Sequence, residues 1–141
     1  MFDNTYEDRL RAWHEFRNSL ETIDDPLQRT IEHYQNAPFA STYTNPWDQA
    51  TWPTPWELVQ ENQYCDFCKL LGICYSLQLT DKFSKDLFEI HISTDSIDSK
   101  TYYLLYIDDF IIGYEQDTYV QKSSLPSTIY SQRIYPMPLL N

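Results

Sequence analysis

Trp52–Leu79, WPTPWELVQENQYCDFCKLLGICYSLQL, is the stretch that decides the fold. Thr54 is placed to cap a helix, and Pro55 suits the first helical position, where its missing N–H costs nothing. Glu57 follows the cap by three residues and completes a capping box. Asn62 and Gln63 break this short helix. Beyond them Phe67, Leu70, Leu71, Cys74 and Tyr75 recur at i, i+3, i+4, i+7 and i+8, which predicts a longer helix with one apolar face.

On the N-terminal side, residues 1–4 read as loose, and residues 5–23 carry a helical stripe of Leu10, Trp13, Phe16 and Leu20. Asp24-Asp25-Pro26 ends that helix and caps another, which runs to about Asn36 with Leu27, Ile31 and Tyr34 on one side. These helices are read as ordinary core packing or as an arm that docks on a neighbouring subunit. Ala37–Thr54 is a proline- and tryptophan-rich connector whose aromatic content argues that it lies along a surface. On the C-terminal side, residues 87–94 alternate, with Phe88, Ile90 and Ile92 on one face and Glu89, His91 and Ser93 on the other. Residues 102–107 and 110–114 are β-prone and flank Asp108-Asp109, a hairpin tip. A short strand or loop over 118–125 and a last strand over 127–135 follow. Pro136 and Pro138 then stop sheet pairing, and the tail to Asn141 is extended. The expected class is α+β: N-terminal helices and a central helix packed on a small antiparallel sheet. Residues 1–51 form a helical arm and connector, and residues 52–141 the core domain.

Composition narrows the function. The 141 residues carry a net charge of −11, which argues against a nucleic-acid backbone as partner. Only two glycines occur, so a glycine-rich phosphate loop is excluded. No apolar run approaches a bilayer span, and no membrane partner is expected. Twelve Tyr and four Trp supply the residue types that dominate interfaces. Trp13, Phe16, Trp47, Trp52 and Tyr135 are the anchor candidates, whether for the chain's own core or for a partner. Cys65, Cys68 and Cys74 are an odd count within ten positions, so a disulfide framework is not expected and a reducing, intracellular site of assembly is.

The same residues offer little chemistry. Cys65-x-x-Cys68 lacks the second pair a zinc site needs, and His14, His33 and His91 do not sit at finger spacing. A thioredoxin-type redox pair follows a strand, whereas this one follows a helix and a break, so packing of small polarizable side chains is the favoured reading. Neither a metal nor a cofactor is expected. Cys65, His91 and Asp108 satisfy by type the list for a cysteine peptidase or amidase, although His91 falls on the polar face of its strand.

Trp52-x-Thr54-Pro55-x-Glu57, a helix bearing Asp66-Phe67, and a hairpin together resemble the core of the transglutaminase-like cysteine peptidases, over roughly Trp52 to Tyr114. Bacterial members show W-x-T-P-x-E and then G-D-C-E-D-Y-A before a helix, with a strand opening on His and another ending in Asp. Setting Asp66-Phe67-Cys68 on D-Y-A places Tyr64 at the nucleophile, Tyr103 at the His and Tyr114 at the Asp. A phenol with a pKa near 10 is no nucleophile at neutral pH, so the resemblance implies a fold that has lost its reaction. Sliding the register by one restores Cys65 but still supplies no His at the hairpin. The whole chain, including WHEFRNSLE and YCDFCKLLGICYSLQLTDKF, is also similar to small proteins carried by tailed, cyanophage-like phages. That similarity implies a non-enzymatic structural or adaptor protein of the neck, tail or baseplate. It would be assembled in the host cytoplasm, oligomeric within the virion, and partnered by other phage structural proteins. An intracellular acidic protein that binds a host protein is the remaining class.

Overall fold

The computed structural model describes residues 1–40 and 44–140. Residues 41–43 of the connector and Asn141 of the tail lie outside the described residues. Four α-helices and five strands form among the described residues, in the class α+β. Helix α1 is Tyr6–Ser19 and α2 is Pro26–Gln35, and each is started by a side-chain cap. Thr5 Oγ1 accepts from the Asp8 amide at 3.3 Å, and Asp25 Oδ1 accepts from the Gln28 amide at 3.2 Å. Helix α3, Pro55–Glu61, carries the complete capping box: the Glu57 amide donates to Thr54 Oγ1, and the Thr54 amide donates to Glu57 Oε1. Asn62 ends it in the left-handed region at φ 52°, a conformation that Asn tolerates better than most residues.

Helix α4, Asp66–Gln78, is the centre of the molecule. It is buried on nearly every side, with Gly72, Ile73, Ser76 and Leu77 enclosed as well as the five residues of the expected stripe. One apolar face was the expectation; the difference has a packing cause. Helices α1 and α2 lie against α4 on one side and the sheet on the other. Trp13, Phe16, Leu20, Leu27, Ile31 and Tyr34 therefore join one core with Phe67, Leu71 and Leu77. The α2–α4 approach is close: a Cβ on Gly72 would lie 2.4 Å from the Tyr34 ring. Residues 1–4 are tied down where loose chain was expected. Phe2 packs on Tyr34 and Tyr64, and its carbonyl accepts from Asn62 Nδ2 at 2.7 Å.

The sheet runs β4-β3-β2-β1-β5, every neighbour antiparallel. The strands are β1 Phe88–Asp95, β2 Thr101–Ile107, β3 Phe110–Ile112, β4 Tyr119–Gln121 and β5 Ile129–Pro136. β3 stops two residues before the expected end because Gly113 turns the chain at φ 112°, with Tyr103 O where a Cβ would be. Only Tyr119–Gln121 of the 118–125 segment pairs as strand; Lys122–Ser124 is a single 3₁₀ turn. Phe88, Ile90, Ile92, Leu105 and Ile107 belong to the core around α4. The other face is covered too. The segment joining β4 at one edge to β5 at the other crosses it, and Val120 and Leu125 close over Leu104, Tyr106, Ile111 and Ile129.

Candidate functional site

The first turn of α4 collects the residues the sequence singled out. Tyr64 is extended and forms a parallel bridge with Phe39; its amide donates to Pro38 O at 2.9 Å. The next residue, Cys65, is the cap of α4: its Sγ accepts from the Cys68 amide at 3.4 Å. The Cys68 side chain shares this first turn with Cys65, and Thr44 Oγ1 lies 3.2 Å from Cys68 Sγ. This donor set acts on the thiols in opposite directions. The Cys68 thiol, against the cost of burial and helped by the amides of Thr44, Cys68 and Phe67, pulls Cys65 well below the usual thiol range. Cys68 holds its proton because it gives that proton to Cys65, and burial adds to this. Both side chains are nearly enclosed, Cys65 at 6% exposure and Cys68 at 5%. All three cysteines are free thiols.

Tyr64 has no such environment. It is fully buried against Phe2 and Tyr34, its hydroxyl has no hydrogen-bond partner among the described residues, and burial pushes its phenol far above the ordinary value. Tyr103 and Tyr114 stand apart from it and line an open cleft of about 740 Å³, with Asp66, Lys69 and Lys100. The Tyr103 ring packs on Phe67, and Tyr114 leans on Tyr102.

His91 and Asp108 do not join Cys65. His91 alternates with Ile90 and Ile92 on β1, so it faces away from α4. It is buried beneath the β4–β5 crossover, where an outward position was expected. Its ring stacks on Tyr106 at 3.8 Å, Nδ1 lies 2.7 Å from Ser131 Oγ, and Nε2 lies 3.1 Å from Glu89 Oε1. Desolvation lowers its pKa, against the pull of Glu89. Asp108 is the hairpin tip at φ 48°, and its carboxylate accepts the Leu87 amide at 3.2 Å. Ser131 was missed because its partner is set by the β5–β1 register, which slips between Ile92 and Ser93. The alternation of either strand alone carries no such signal.

The anchor candidates divide. Trp13 is buried and donates to Ser76 Oγ at 2.9 Å, and Phe16 stacks on His33 at 3.8 Å. Trp52 and Tyr135 pack on each other at 4.9 Å, both buried. Trp47 alone of the five is exposed, at 44%, and its carbonyl accepts from Tyr135 Oη, which holds it beside β5. β5 itself is an eight-residue edge strand whose residues 130–134 are all exposed, including Tyr130 at 50% and Ile134 at 51%. Among the described residues, no strand pairs with its outer edge.

No protein-family model matches the chain, and no curated protein matches it in sequence. No helix is long and apolar enough to cross a membrane, and no group of three or more His, Cys, Asp or Glu side chains is placed to hold a metal, among the described residues.

Proposed function

We propose that the chain is a docking subunit without catalysis of its own, a structural or adaptor protein of a tailed-phage virion. The observation that carries this reading is the edge strand β5. The outer edge of this eight-residue strand pairs with no other strand among the described residues, and Tyr130, Ile134 and the neighbouring Trp47 are exposed; these are the features that isolated sheets suppress and that strand addition uses. A neighbouring subunit adds a strand there and covers the aromatic and aliphatic side chains. The net charge of −11 favours a partner face rich in Lys and Arg. The distance in the fold between Cys65 at the tip of α4 and His91 on the far sheet face supports the loss of a thiol–imidazole reaction. The similarity to phage proteins supplies the kind of assembly: a neck, tail or baseplate of repeated copies. Peptide mass spectrometry of purified particles tests the reading. The chain is expected at a fixed copy number per particle; its absence from particles whose known structural proteins are all detected overturns it.

A further inference from the structure

We propose that Cys65 and Cys68 are a redox site, a dithiol that closes to an intramolecular disulfide by exchange with a low-molecular-weight disulfide of the glutathione class. The inference stands apart from the docking reading. It rests on where the fold puts the pair. Cys65 is the cap and Cys68 the third residue of a 13-residue helix, so both sulfurs meet on the first turn. Cys65 Sγ already lies 3.4 Å from the Cys68 amide, so the two side chains share one turn, and a disulfide between them closes at an S–S length of about 2 Å. The residue before Cys65 is extended and bridged to Phe39, so the pair follows a strand-like segment after all.

Cys74 is an internal control. It lies two turns along the same helix, donates to Gln78 Oε1 at 3.4 Å, and burial alone raises its pKa. Packing by itself therefore makes a resting thiol here, whereas the amides and the neighbouring thiol at the helix start stabilise a thiolate on Cys65. Thr44, which touches Cys68 Sγ, also lines an open cleft of about 460 Å³ with Trp52 and Glu57.

The chemistry balances. The Cys65 thiolate attacks one sulfur of the small disulfide; a mixed disulfide forms and one small thiolate leaves. The Cys68 sulfur, its proton passed to solvent, attacks Cys65 Sγ and expels the second small thiolate. The pair loses two electrons, the small disulfide gains them, and the two protons end on the released thiols.

The full chain, folded by circular dichroism, is equilibrated with reduced and oxidised glutathione, quenched by acid alkylation and mapped by peptide mass spectrometry. The expected result is a Cys65–Cys68 link with Cys74 free. Cys68→Ser is expected to stop at a glutathione adduct on Cys65. At neutral pH, iodoacetamide is expected to label Cys65 at least about tenfold faster than Cys74. The proposal is overturned if both cysteines stay free in fully oxidised glutathione while the chain is folded, or if Cys65 and Cys74 react at one rate.

Discussion

Single residues on the α4 tip show how environment decides chemistry. The Tyr64 hydroxyl is buried and has no partner among the described residues, a state that costs free energy without return in the fold. Tyr64→Phe removes that atom and keeps the ring on Phe2 and Tyr34. The variant is expected to be as stable as the parent or up to about 1 kcal/mol more stable in urea unfolding, as a deleted orphan group allows. A loss of stability would mean that the hydroxyl is satisfied in solution. His33 gives a second prediction at this scale. Desolvation against Phe16 and Phe2, with Arg29 and the N-terminal ammonium nearby, lowers its pKa from 6.5 to about 4. The unfolded chain therefore binds more protons between those values, so the contribution is complete above pH 6.5 and is lost as pH falls toward 4. His91, whose burial beside Ser131 and Glu89 also lowers its pKa, acts in the same direction. Denaturant midpoints measured from pH 7 down to 4 should fall, and His33→Leu should flatten the slope. Caps at this scale were legible because Thr54, Glu57 and Asp25 act within three residues of themselves. The cap by Cys65 was not, since a thiol is outside the usual capping set, and the neighbouring Cys68 Sγ meets Thr44 from the distant connector.

Elements hold together through one buried polar junction. Trp13 of α1 donates to Ser76 Oγ of α4, and Tyr34 Oη of α2 lies 3.0 Å from the same oxygen. Burial of Tyr34 pushes its phenol up to about 12, so it stays a neutral partner. Ser76→Ala orphans two buried groups at once. The expected cost is about 1–3 kcal/mol, read as a lower urea midpoint at unchanged m-value. A change below a few tenths would place water or a rotated hydroxyl at the junction. Element positions were readable because period and punctuation are local: the 3.6 spacing of α1 and α2, Pro26 and Pro55 at helix starts, and the alternation around Ile90. The single apolar stripe predicted for α4 failed for a reason outside the stretch. Its other sides are covered by Trp13 and Tyr34, and no window around residue 70 contains them.

At the scale of the whole molecule, long-range pairing decides what is left on the surface. β1 lies between β2 and β5, so the first strand of the sheet pairs with the last. Nothing in residues 127–135 names β1 as partner, and so neither the burial of His91 under the crossover nor the free edge of β5 was legible. That edge is where the proposed docking acts. Ile134 is exposed, so Ile134→Lys should change folding stability by no more than about 0.5 kcal/mol. Its expected effect is on incorporation into particles, which should drop while the isolated chain stays folded. The most direct test is amide hydrogen exchange over residues 129–136, compared between the isolated chain and the chain in purified particles. The account predicts fast exchange at the outer edge of β5 in isolation and strong protection after assembly. Equal exchange in both states would contradict it.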